Sequence, residues 1–305
     1  MSEKEHGVEK KRHSGLVLFL RDAGVAALIV ASMLLAMFAY TGQWPPLVVV
    51  ESDSMMHNDD NLSELGVIDT GDMVLVKRVD DSRDIITYAE GFVTGHRSYG
   101  EYGDVVIYKV NGLDDRTPII HRAMIYLEVN PDGASYRCDA LRLLPADKWY
   151  SSGANDTWDH LTGILVIRDV DYMGRSLVVD ISHLGRPLRS GYITKGDHNS
   201  MIDSSCPVKL EWVVGKARGE IPWFGLLKLW STDTLGSPAP QNSVRNLWIS
   251  IAIIVIAPIA IDAFLTYREK RSVTLRRAES PHDDEHAEQD DKETEGEDDF
   301  NRPTS

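Results

Sequence analysis

From Ala23 to Tyr40 the chain reads AGVAALIVASMLLAMFAY, eighteen residues without a charge. A helix this apolar has no polar face to give to water, and the run reaches the lower length for crossing a bilayer. A cleaved leader has a shorter apolar core, about 7–15 residues, followed by a small-residue cut site. Here Trp44-Pro45-Pro46 follows instead, so the run reads as a retained anchor. Lys10, Lys11 and Arg12 precede it and place the N-terminus on the cytoplasmic side. A second run, LWISIAIIVIAPIAIDAFL from Leu247 to Leu265, is also long enough to span. It contains Pro258, a site of helix kinking, and carries Asp262 near its end, where an acid reaches the interface. Arg268, Lys270, Arg271, Arg276 and Arg277 follow, so this flank is cytoplasmic as well.

These limits predict a multi-pass protein of the cell membrane, with the lipid bilayer as a partner. Residues 1–22 form a cytoplasmic tail, 23–40 a transmembrane helix, 44–245 an extracytoplasmic domain and 247–265 a second transmembrane helix. Residues 266–305 form a cytoplasmic tail, first basic and then acidic. From Glu279 to Asn301 there are twelve acids and one lysine, so this stretch supplies −11 of the chain's net charge of −15. With almost no apolar side chains it is expected to be disordered. An acidic chain lacks the basic patch that phosphate binding needs, which excludes nucleic acid as a partner. Cys138 and Cys206 are the only cysteines. Neither has metal-ligand spacing, and two unrelated thiols are preferred over a pair.

Between the apolar runs the pattern is short and β-like. Val48–Val50 is β-branched. GDMVLVKRV from Gly71 and GDVVIYKV from Gly103 each put a Gly-Asp turn before a strand. Further strands are expected in TPIIHRAMIYLEV from Thr117, GILVIRDV from Gly163, RSLVVDIS from Arg175, GYITKGD from Gly191 and EWVVGKA from Glu211. No apolar pattern of helical period and length separates them, so a mainly antiparallel β-domain with two transmembrane helices is expected. Residues 80–102 and 130–160 are polar and read as surface excursions. IPWFGLLKLW, Ile221–Trp230, is dense in apolar and aromatic residues. It suits either a dip into the lipid interface or a cap on the β-core.

The candidate chemistry begins at ESDSMMH, Glu51–His57. In an extended segment, a one-residue spacing puts the Ser52 and Ser54 hydroxyls on the same side. A serine nucleophile needs a base within reach and donors for the developing oxyanion. IIHRAM offers His121, and an imidazole is the side chain best suited to accept a serine proton. TKGDHNSMID offers Asp197 and Asp203 as orienting carboxylates, with His198 as a rival base. The two Gly-Asp strand starts read as structural.

An anchor, Ser-x-Ser-Met, two Gly-Asp strands, His-Arg, Lys-Gly-Asp and then VVGKARGEIPWFG occur in that order. The series resembles type I signal peptidases over roughly residues 25 to 265. It is most similar to the archaeal and endoplasmic-reticulum branch, in which His stands for the bacterial Lys base. The resemblance implies a signal-peptidase-like β-fold and a serine endopeptidase that cuts signal peptides from secretory preproteins. It implies Ser54 as nucleophile, His121 as general base, and Asp203, with Asp197 second, as the supporting acid. Ser52 and the Ser54 backbone N–H would form the oxyanion hole. No metal or other cofactor is implied, and the protein-export machinery is a candidate partner. The chain departs from the family pattern at Asp53 for Gly, His57 for Pro and His198 for Asn. Two other readings remain: a related serine protease acting on a regulator or on itself, and an inactive membrane scaffold.

Overall fold

Each of the eight β-branched runs forms a strand in the computed structural model, which describes residues 2–57, 61–204 and 206–279. At 2–16, 18 and 273–279 it describes the backbone alone. In chain order the elements are α1 (Ser2–Thr41), β1 (Leu47–Val49), β2 (Met73–Lys77), α2 (Tyr88–Thr94), β3 (Arg97–Ser98) and β4 (Glu101–Tyr102). Then come β5 (Val105–Tyr108), β6 (Ile119–Val129), β7 (Tyr136–Arg137), β8 (Trp149–Ser151), β9 (Ile164–Ile167) and β10 (Leu177–Asp180). The last are β11 (Gly191–Lys195), β12 (Val213–Ile221), α3 (Gly225–Thr232) and α4 (Gln241–Glu279). The chain divides into two units, Met1–Asn246 and Leu247–Ser305. The first holds all the described strands.

The main sheet has seven strands in the order β1-β2-β12-β5-β6-β11, with β7 added to β6. A second sheet has the order β10-β9-β8, and β3 pairs with β4. Every pairing is antiparallel. Strand alternation divides the core of the main sheet. Val105 and Ile107 of β5 pack with Val50, Met55, Val74 and Val76 on one face. Val106 and Tyr108 pack with Ile85, Ala123 and Tyr192 on the other. At eleven residues, β6 runs on past its β5 partner, stays paired with β11 through Leu127 and lines a second core. There Met124, Ile125 and Leu127 meet Leu165, Ile167, Leu177 and Val179.

Four expectations are corrected. Residues 130–160 are more than a surface excursion: Tyr136, Cys138, Leu141 and Leu144 are buried in the second core. Two short helices stand where none was expected. The first, α2, opens on a Thr87/Glu90 capping box, a TxxE signal present in the sequence. The second, α3, caps the core with Leu226 and Leu229, as one reading of Ile221–Trp230 expects, while Leu227 and Trp230 stay exposed. At the chain ends, residues expected to be tails are helical. No proline interrupts residues 2–22, and α1 runs through them. Its membrane-length part is Phe19–Thr41, which takes in the mutually paired Arg21 and Asp22. Likewise α4 continues through Pro258 and on to Glu279, so 266–279 is helix, and its membrane-length part is Gln241–Ser272. Both are long and apolar enough to cross a membrane, and their most apolar stretches are not buried. The acidic stretch beyond Glu279, expected to be disordered, lies outside the described residues. Cys138 and Cys206 are free thiols.

The Gly-Asp pairs are anchors. Asp104 accepts from Ile86 N–H at 3.0 Å and Lys216 Nζ at 3.0 Å, and lies 2.8 Å from His96 Nε2. Asp72 accepts from the Asp69 and Trp223 N–H groups, each at 2.9 Å, tying α3's approach to the start of β2. Asp69 lies beside it and accepts from Glu64 N–H at 2.6 Å. Burial pushes the Asp69 carboxyl up to about 8 and the Asp72 carboxyl up to about 7, against their backbone hydrogen bonds, with neighbouring carboxylates adding to the rise. Between the unfolded value, about 4, and these raised values the folded chain holds protons that the unfolded chain releases. Stability is therefore lost as pH rises through that interval. Thermal unfolding of the full chain in detergent should show the melting temperature falling from about pH 5 to about pH 9. Asp69→Asn should flatten the fall by keeping the acceptor without the charge. An equal slope in the variant would contradict the account.

Candidate active site

β1 ends at Val49 and the chain leaves the sheet. Val50 N–H donates to Asp72 O at 2.9 Å and Gly71 N–H to Val50 O at 3.0 Å. The two serines then fall in a turn rather than the extended segment expected, closed by Met56 N–H on Asp53 O at 3.0 Å. Burial of Met55 and Met56 fixes the far side of the turn. Ser52 and Ser54 nevertheless keep their hydroxyls 3.2 Å apart.

His121 sits near the start of β6, opposite Val106 of β5. Its Nε2 lies 2.8 Å from Ser54 Oγ and its Nδ1 2.7 Å from Asp203 Oδ2. The Nδ1 contact is close but off-line, since Nδ1 lacks a well-directed hydrogen bond and Asp203 Oδ1 is buried without one. The carboxylate favours the tautomer with the proton on Nδ1, which leaves Nε2 to accept from Ser54. Ser52 O–H can then donate to Ser54 Oγ.

Asp203 reaches this place because its loop returns to the strand it left: Asp203 N–H donates to Thr194 O of β11 at 3.1 Å. Its Oδ2 accepts from Tyr108 O–H at 2.9 Å, and Tyr108 accepts from Thr194 Oγ1 at 3.2 Å. Burial works to raise the Asp203 pKa, but His121 and the Thr194 and Tyr108 hydroxyls outweigh it and hold the carboxyl below its usual range. The Tyr108 phenol is pushed up by burial and then by Asp203's charge, so it remains a donor. Tyr108 and Thr194 were not singled out in the sequence, where one reads as a strand residue and the other as part of a turn.

Asp197, the second candidate for the acid, is placed elsewhere. It accepts from Arg122 Nε at 2.8 Å and Nη2 at 2.6 Å, and lies 2.9 Å from His57 Nε2. Burial alone would raise its pKa, but Arg122's charge and hydrogen bonds, joined by His57, hold it far below the usual range. Asp203, and not Asp197, is therefore the carboxylate that stands against His121. His198, the rival base, gives its backbone N–H to Ser54 O at 3.0 Å and its ring Nδ1 to a contact with Tyr172 O–H at 3.0 Å. Asp53 contributes the carbonyl that closes the turn.

The Ser54–His121 pair opens into a cleft of about 360 Å³, walled by Val49–Ser52, by Thr117–His121 and by Gly236. A larger one, about 730 Å³, is lined by Arg78, Ser190, Lys209 and Glu211, but there Ser190 Oγ accepts from Val129 N–H at 2.9 Å instead of facing a base. The arrangement can hold a hydroxyl against a proton acceptor whose charged form an anion stabilises, which is the requirement for nucleophilic attack. No family model, curated protein or solved structure matches the chain.

Gly196 lets the loop press against this pair. A Cβ there would stand 2.5 Å from Ser54 O and 2.8 Å from His121 Nε2. Gly196→Ala should cost about 1–3 kcal/mol, read by urea unfolding. An undiminished stability would mean that the loop stands further from the serine turn.

Proposed function

We propose that the chain is a membrane-bound serine endopeptidase of the type I signal peptidase kind, cleaving signal peptides from exported preproteins. The observation that carries the reading is the 2.8 Å contact between Ser54 Oγ and His121 Nε2 at the mouth of a cleft. The ordered motifs of the sequence support it, as does an apolar helix of membrane length ending at Thr41, close before the serine turn. Basic residues flanking both apolar helices favour cytoplasmic termini and an outward-facing β-domain.

Ser54 Oγ attacks the scissile carbonyl carbon while its proton passes to His121 Nε2. The imidazolium formed is stabilised by Asp203, 2.7 Å from Nδ1. The carbonyl oxygen, now negative, takes hydrogen bonds from the Ser52 hydroxyl and the Ser54 backbone N–H. Collapse breaks the C–N bond, His121 returns the proton to the leaving amine, and an ester to Ser54 remains. Water, deprotonated by His121, then hydrolyses that ester and regenerates the hydroxyl. The cleft between the end of β1 and the start of β6 has a shape that takes an extended peptide.

Purified full-length chain in detergent should cleave a preprotein, and Ser54→Ala or His121→Ala should abolish cleavage with the melting temperature retained. Asp203→Ala should lower the rate more than about a hundredfold through loss of His121 orientation, read from the same gel-based cleavage rates. Full activity in Ser54→Ala would end this reading.

A further inference from the structure

The two histidines that depart from the family pattern are linked through Tyr172. The His57 ring stacks on Tyr172, with centroids 4.6 Å apart and planes at 27°, and Tyr172 O–H reaches His198 Nδ1 at 3.0 Å. The His198 backbone N–H holds the Ser54 carbonyl at 3.0 Å. On its other side, His57 Nε2 lies 2.9 Å from Asp197 Oδ2. Arg175 fastens the same loop, donating to Asp197 O at 2.7 Å and His198 O at 3.1 Å. The Asp197 charge is already matched, since Arg122 binds both of its oxygens. What the His57 bond adds is a tie from the chain just beyond Ser54 to the residue that grips Arg122, the neighbour of His121.

We propose that His57 is a positioning residue, whose ring N–H, donated to Asp197, fixes the serine turn at attacking distance from His121. The proposal rests on the reading of Ser54 as the nucleophile. His57 touches no reacting atom. It closes a circuit that runs along the chain from Ser54 to His57, across to Asp197 and back through the adjacent His198 N–H to Ser54 O, with Arg122 tying Asp197 to the strand of His121. Without it the turn keeps the His198 N–H and the burial of Met55 and Met56 but loses its tie to Asp197. A misplacement of about 1 Å in such a pair costs on the order of a hundredfold in rate.

Two variants separate this role from packing. His57→Phe keeps a ring for Tyr172 and loses the N–H, whereas His57→Gln keeps an N–H and loses the ring. The readout is the rate at which an alkyl fluorophosphonate phosphonylates Ser54 in full-length chain in detergent, followed by intact mass and peptide mapping. In that step Ser54 Oγ displaces fluoride from phosphorus and its proton passes to His121, so no peptide substrate is needed. His57→Phe should label about tenfold or more slowly, and His57→Gln within about threefold of wild type. Wild-type speed in His57→Phe would overturn the proposal, as would equal slowing in both variants or a shared fall in melting temperature that tracks the loss. Wild-type chain that takes no label at Ser54 would instead remove the nucleophile reading, and the positioning role with it.

Discussion

Asp197 and Arg122 are both buried, and their contact is where the segments of the site converge. Arg122 follows the base on β6 and reaches the carbonyls of Ser98 and Gly103, each at 3.0 Å. Asp197 opens the loop that ends at Asp203 and meets His57 beyond the serine turn. Two buried charges are tolerable only when their hydrogen bonds are filled, and removing one partner of such a pair typically costs about 3–5 kcal/mol. The pair therefore specifies the loop's position more than it adds stability. The loop's position in turn sets Gly196 against Ser54 and Asp203 against His121.

The second constraint is the tether. Thr41, at the end of α1, is buried, and Gln43 donates to Val76 O of β2 at 2.8 Å. The helix end is thus bonded to the strand beside β1, and β1 delivers the serine turn. In the proposed reaction this fixes how far the nucleophile stands from the end of an apolar helix of membrane length. Leu227 and Trp230 remain exposed on α3, a surface suited to the lipid–water interface.

Much of this was legible in the sequence, because strand alternation and apolar length are local signals. The strands and the helices of membrane length follow from runs and spacing, whereas Ser54, His121 and Asp203 are singled out by the resemblance to type I signal peptidases. What was not legible depends on contacts distant in sequence. The two aspartates of TKGDHNSMID have equal claims on His121 until the return of the loop to Thr194 is seen. The role of Tyr108 depends on a strand partner, and residues 130–160 look polar because their buried side chains are spread thinly among charges. The ends of both long helices were missed for the opposite reason. Hydropathy ends where charge begins, but a helix stops only where something breaks it. Asp53, His57 and His198 were legible as departures, and their contacts give each a place: Asp53 closes the turn, and the two histidines are linked through Tyr172.

The claim on which the account stands is that Ser54, not its neighbour Ser52, is the nucleophile activated by His121. The direct measurement is acid quenching of full-length chain early in preprotein turnover, followed by peptide mass mapping of the serine turn. The account predicts an acyl adduct on Ser54 that decays as product forms and is absent from Ser54→Ala. An adduct on Ser52, or cleavage that persists in Ser54→Ala, would contradict it.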